Sequence, residues 1–216
     1  MAVADDLRSQ IFEGSLSSGT PLREIALAQF FEVSRRTVRE ALLLLASEGL
    51  VVHKHNQGAH VKVFTMADVH DLYRIRRVLE LEGARFVSVA SEEQLARVTV
   101  AMEGIRDAAA GGLLSPELAR ADVGFHASII ALIGSPGIDK FYEQSGNQTA
   151  YALLQLQRHD ASQAAEVAAT VYEHQAIHDA VVGRNALDAQ RLILEHIERH
   201  ESSFLHSLRE VALHEA

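Results

Sequence analysis

The chain has 216 residues, 48% apolar and 23% charged with only three prolines, which is enough core-forming material for one large or two small domains and argues against intrinsic disorder. Cysteine is absent, which excludes disulfides, thiol nucleophiles, iron–sulfur clusters and thiolate zinc sites, so any metal must be held by His, Asp or Glu. A net charge of -9 reads against nucleic acid until it is divided: residues 1–65 carry seven basic and seven acidic side chains, whereas 66–216 carry thirteen against twenty-two.

Val3, Leu7, Ile11 and Phe12 recur at helical spacing from Ala2 to about Glu13, and the run then breaks into a loop rich in Gly and Ser that ends near Pro21. A second periodic stretch, Ile25 to Phe31, stops at Glu32-Val33. After Ser34 a third resumes as RRTVREALLLLASEGL, with Ser34 as its N-cap and Gly49 as the left-handed residue that closes it. Val51 to His53, the turn-like Asn56-Gln57-Gly58 and His60 to Val63 predict a hairpin. Three helices and a hairpin within 65 residues predict a winged helix-turn-helix domain over residues 1–65.

Beyond Thr65 the strand signal ends. Six helical patterns follow, near 66–90, 91–110, 116–133, 136–159, 163–183 and 185–213, separated at Ser91, Gly111-Gly112, Ser135-Pro136, His159 to Ser162 and Gly183-Arg184-Asn185. Short connections predict a C-terminal antiparallel six-helix bundle over 66–216, giving a mostly α chain. No apolar run approaches the ~18 residues of a membrane span, and Asp5 and Asp6 stand where a leader would be basic, so the expected location is the cytoplasm with no membrane contact.

In the third helix Val38, Ala41, Leu42 and Leu45 share the core face, so Arg35, Arg36 and Arg39 project from the exposed N-terminal end that enters the major groove in this motif. An Arg there can grip guanine O6 and N7 with both arms of its fork, and a neighbouring hydroxyl such as Thr37 can meet a phosphate or base edge. A solvated basic face would have the same residues. The stretch REIALAQFFEVSRRTVREALLLLASEGLVV followed by NQGAHV resembles the winged-helix domain of the GntR family of bacterial transcription regulators. That resemblance implies contacts to a double-stranded operator from Arg35, Arg36, Thr37 and Arg39, and wing contacts from His55, Asn56 and Gly58. Three departures matter. Glu32 stands where the family usually has Gly, Thr37 where Pro is frequent, and Asn56-Gln57 replaces a more basic wing tip.

Nine of the twelve histidines fall in the second part. Asp122 and His126, His174 and His178, and His196 and His200 are each four apart, which puts each pair on one helix face. Imidazoles and a carboxylate converging from three helices suit Zn²⁺, Ni²⁺ or another divalent transition metal. By spacing alone they read equally as hydrogen-bonded core residues or surface pairs. The segments from Leu72 to Glu80, Asp122 to His126, Glu173 to Ile177 and Leu194 to Ile197 resemble the FadR C-terminal effector domain in its shorter, VanR-like form. The resemblance implies Asp122, His126, His174 and His196 as metal ligands, leaves His178 and His200 as outer or surface residues, and offers Arg76 to an effector carboxylate. An ion pair between Arg76 and Glu80 is the competing role.

The expected function is a metabolite-responsive regulator, a repressor by family resemblance, binding an inverted-repeat operator as a homodimer, with a small carboxylate effector at a metal-assisted site. A metal sensor in which the ion is the signal is an alternative. A metal-dependent hydrolase is disfavoured, because His174-Gln175-Ala176-Ile177-His178 has zincin spacing with Gln where the general base belongs, and no Glu has a His three residues later.

Overall fold

The computed structural model describes residues 2–156 and 163–214; the separator expected at His159 to Ser162 lies outside them. The chain divides into two compact units, one comprising Met1–Val63 with Gln144–Ala152 and the other Phe64–Glu143 with Leu153–Ala216.

The first unit contains α1 (Ala2–Glu13), β1 (Pro21–Leu22), α2 (Glu24–Phe30), α3 (Arg35–Ser47), β2 (Val51–Lys54) and β3 (Gly58–Val61). Ser34 caps α3, its side chain accepting from the Thr37 backbone N–H, and Gly49 takes a φ of 72° just past the helix end, both as expected. Glu32, in the turn between α2 and α3, holds a φ of 53°, a left-handed conformation that its Cβ makes costly. The core joins Leu7, Ile11 and Phe12 of α1 to Val38, Leu42 and Leu45 of α3 and to Val51 and Val61 of the wing. The wing differs from the expected two-stranded hairpin, because Pro21 and Leu22 add β1 to β3, giving the order β1-β3-β2 with Leu22 opposite Ala59 and His53 opposite Ala59 on the other side. A two-residue strand carries no alternation to read, and burial of Leu22 is what fixes it.

A segment of α7 (Pro136–Leu156) completes this unit. Asn147 Nδ2 donates to Glu48 Oε2 at 3.2 Å, the Tyr151 hydroxyl lies 3.3 Å from the Lys62 carbonyl and 3.0 Å from Ser18 Oγ, and the Tyr151 ring meets Phe12 edge-on.

The second unit is built from α4 (Met66–Arg85), α5 (Glu92–Ala109), α6 (Pro116–Ile130), α8 (Gln163–Val182) and α9 (Ala186–His214), with the remaining parts of α7. Capping boxes start α4 at Thr65 with Asp68 and α5 at Ser91 with Gln94, while Ser115 caps α6 ahead of Pro116. Two expected helices end early in single 3₁₀ turns, at 87–89 and 131–133, the second stopped by Gly134 at a φ of 72°. Helix α4 packs on α9 and α6, α5 on α6 and α8, and α8 on α9. Gly83 makes the α4–α6 contact possible: a Cβ there would sit 2.4 Å from the Ile129 carbonyl oxygen. Among the described residues no helix is long and apolar enough to cross a membrane.

Candidate functional site

Two sites are built here, one in each unit. In the first, the short turn between α2 and α3 leaves the start of α3 in solvent, with Arg35, Arg36, Thr37 and Arg39 all exposed and Val38 fully buried beneath them. The arginines are held by carboxylates. Arg39 makes a two-armed contact with Glu24 of α2, Nε and Nη2 each 2.9 Å from a different oxygen, while Arg35 Nη2 lies 3.4 Å from the same residue and Arg36 donates to Glu40 one turn on. The hydrogen bond from Arg39 holds the Glu24 carboxyl down to about 2. The α3 arginines, Glu40 and Leu43 line one shallow depression. His55, Asn56 and Gly58 are exposed at the wing tip, where Asn56 and Gly58 both have positive φ. Glu24 is the residue the sequence reading missed; its partner is 15 positions away on another helix, beyond any periodicity within one helix.

The second unit brings Asp122, His126, His174 and His196 together, from α6, α8 and α9, with one donor atom of each within 4.8 Å of the others and all four residues buried. His174 Nε2 lies 3.1 Å from Asp122 Oδ1 and 3.1 Å from His126 Nε2. Each outer nitrogen faces an oxygen. His174 Nδ1 donates to the Thr170 carbonyl at 2.7 Å, His196 Nδ1 lies 2.9 Å from Glu173 Oε2, and His126 Nδ1 lies 2.7 Å from Glu80 Oε2, close but off the line of a well-aligned hydrogen bond. A neutral imidazole with its proton on Nδ1 presents a lone pair at Nε2. Three such lone pairs and a carboxylate facing one another repel unless a positive charge lies between them. A proton on His174 would serve the contact to Asp122, but it leaves His196 Nε2 and Asp122 Oδ2 buried without a partner. A divalent cation serves all four donors, and the 3.1 Å separations are close to the ~3.3 Å ligand spacing of a tetrahedral Zn²⁺ site. The residues therefore fit a metal.

Electrostatics follows the same pattern. Burial would raise the Asp122 carboxyl, but the hydrogen bond with His174 and the nearby charge of Arg76 drive it well below the usual carboxylate range. Burial pushes His126 and His196 down, the latter reinforced by neighbouring imidazoles, so both stay neutral and available as ligands. His178 stands apart, against Thr99 and Gln175, and His200 lies beside His196 with Nε2 3.7 Å from Glu173.

Arg76 is fully buried and pairs with Glu80, Nε to Oε1 at 2.7 Å, while its Nη2 has no hydrogen-bond partner. The ion pair expected as a competing role is present and leaves one donor free. Glu80 and Glu173 are the further residues of this site. The i,i+4 spacing disclosed the first as a partner of Arg76, but nothing in the sequence pattern joins it to His126 or joins Glu173 to His196.

A helix-turn-helix with a three-stranded wing, and a helical unit around a buried His/Asp cluster, define a winged-helix DNA-binding regulator. Residues 1–61 match the profile of the bacterial regulatory proteins of the gntR family, and residues 71–199 match the FCD domain. The chain belongs to the GntR family of transcription regulators and carries an FCD domain. It is 30% identical over 199 residues to BphR, an uncharacterized HTH-type transcriptional regulator of Paraburkholderia xenovorans, covering 89% of this chain and 79% of that one. Over 78 residues it is 42% identical to the gluconate operon transcriptional repressor of Bacillus licheniformis, 36% of this chain and 32% of that one. A crystal structure of a GntR regulator from Rhodococcus sp. RHA1 superposes with a TM-score of 0.80 at 28% identity, covering 94% of this chain and 96% of that one. The family and these relatives are regulators rather than enzymes, which sets the hydrolase alternative aside. Only His174 of the His174–His178 pair belongs to the four-donor cluster.

Proposed function

We propose that the chain is a cytoplasmic, homodimeric repressor whose operator affinity is set by a small carboxylate effector taken up at a metal-assisted site in the helical domain. Residues 1–65 are its DNA-binding domain and 66–216 its effector and dimerisation domain. The observation that carries the reading is the buried cluster of Asp122, His126, His174 and His196 with orphaned inner atoms, one side chain removed from an arginine with an orphaned donor. Those four residues would hold Zn²⁺ or Ni²⁺, and a bound ion would supply a positive, coordinatively open position for one effector oxygen. Arg76 Nη2 would receive another oxygen of the same carboxylate.

On the DNA side, Arg35 and Arg39 read base edges in the major groove, Arg36 and Thr37 meet the phosphates beside them, and His55, Asn56 and Gly58 of the wing track the backbone. A homodimer sets the half-site spacing of an inverted repeat. The effector acts by binding one arrangement of the dimer better than the other. Repression is supported by the similarity to the gluconate operon transcriptional repressor of Bacillus licheniformis.

The test has two stages. Operator fragments selected from random DNA by the purified protein should contain an inverted repeat, and small carboxylates should then release them from metal-loaded protein. Release by metal removal alone, with no response to any carboxylate, would assign the signal to the ion instead.

A further inference from the structure

The buried core of the second unit contains an ion pair of which the regulator reading uses only the arginine. Arg76 and Glu80 lie four apart on α4, and side-chain exposures of 1% and 0% make them a fully desolvated pair. Such a pair is rarely a source of net stability, because desolvation offsets the attraction. Glu80 has a second oxygen, and it faces α6, where Oε2 lies 2.7 Å from Nδ1 of His126. The approach is set by Gly83, one turn further along α4, where the two helix backbones nearly touch. The carboxylate thus spans two groups on two helices, with Arg76 Nε on one oxygen and His126 Nδ1 on the other.

We propose that Glu80 is a positioning residue that couples anion binding at Arg76 to metal holding at His126. This rests on the metal reading above. A histidine that donates its Nδ1 proton toward a carboxylate carries more electron density on Nε2 and is the stronger ligand for it. Arg76 draws on the charge of the same carboxylate, and so weakens that effect. Its Nη2 is buried and unpartnered. A carboxylate that pairs with Nη2 takes up part of the guanidinium charge, returns density to Glu80 and tightens His126 on the ion. By reciprocity the bound ion tightens the anion by the same factor. Three side chains in series, Arg76, Glu80 and His126, then carry information between two ligands without any backbone movement.

The experiment measures Zn²⁺ affinity of the full chain by competition with a chromophoric chelator, with and without acetate as the probe anion. Wild-type protein should bind Zn²⁺, more tightly when acetate is present. Glu80→Gln should weaken Zn²⁺ about ten- to a hundredfold and abolish most of the acetate gain. If the single variant does not fold, the neutral pair Arg76→Gln with Glu80→Gln leaves no unpaired buried charge and should show the same loss. Glu80→Asp, which keeps the charge, should restore part of the affinity. Variants that lose thermal stability but keep both wild-type Zn²⁺ affinity and the full acetate gain would reduce Glu80 to a structural residue and overturn the inference alone. A wild-type chain that takes up no Zn²⁺ would overturn the metal reading, and the inference with it.

Discussion

The chain contains two guanidinium–carboxylate pairs made of the same atoms in opposite surroundings. Arg39 and Glu24, with side chains 58% and 27% exposed, meet at the solvent-facing start of α3 in the first unit; Arg76 and Glu80, at 1% and 0%, meet in the core of the second. Water screens the first pair, so it contributes little to stability and its arginine can exchange a carboxylate for a phosphate or a guanine edge at little cost. Nothing screens the second. Its charges are held by each other and by His126, and either one left alone is a buried charge without a counterion. Identical chemistry therefore makes an exchangeable contact in one unit and a fixed framework in the other.

The largest effect should come from breaking the fixed pair. Arg76→Ala is expected to destabilise the second unit by about 3–5 kcal/mol, whereas replacing both partners by apolar residues, Arg76→Met with Glu80→Leu, should be near neutral for folding. Urea denaturation of the two variants checks this. Equal losses in both would show that packing volume, not the stranded charge, sets the cost.

Acid should open the same contrast by a second route. Burial lowers His200 to about 4 from an ordinary 6.5, and it depresses His126 and His196 as well. The unfolded chain takes up these protons at higher pH than the folded one, so stability is full above about pH 6.5 and falls as the pH drops toward 4. For His200 alone the loss is on the order of 3 kcal/mol. In metal-stripped protein the thermal midpoint of the helical unit should fall over that window. Glu24, already held near 2 by Arg39, gives the winged unit no matching transition there. A midpoint flat from pH 7 to 4 would mean that the imidazoles are not buried in solution.

The exchangeable pair should behave in the reverse way. Arg39→Ala is expected to weaken specific operator binding about ten- to a hundredfold while leaving the thermal midpoint where it was. Glu24→Gln should retain folding and change operator preference more than affinity, because it removes the partner that aligns the Arg39 fork before DNA arrives. A footprint unchanged in both variants would remove α3 from the reading edge.

Legibility in the sequence followed the same division between local and distant contacts. The cap at Ser34, the left-handed Gly49, the wing turn at Asn56 and Gly58, and the i,i+4 pairs at Asp122 and His126 all depend on spacing within one element, and all could be read from it. Glu80 reaches His126 across 46 positions, Glu173 reaches His196 across 23, and the Thr170 carbonyl that orients His174 has no side-chain signal at all. Spacing put Asp122 and His126 on one face but paired His174 with His178 and His196 with His200, and only the family resemblance chose between them; the groups that orient the donors were not legible, because packing between helices chooses them. Strand β1 escaped for a related reason: two residues have no period, and only pairing with β3 makes them a strand.

Glu32 gives the smallest and most local test. Its φ of 53° forces a residue with a Cβ into the left-handed region, in the turn that sets the angle between α2 and α3. Such a conformation costs an L residue roughly 1–2 kcal/mol, which glycine avoids, though glycine gives back part of the gain through a freer unfolded chain. The net expectation for Glu32→Gly is a gain of less than about 1 kcal/mol, seen as a midpoint of the winged unit higher by a few degrees. The substitution touches neither arginine pair, so operator affinity should hold. A large change in affinity without a change in stability would instead mean that the strained turn sets the approach of α3 to DNA, and that the exposed unit, too, relies on a fixed framework.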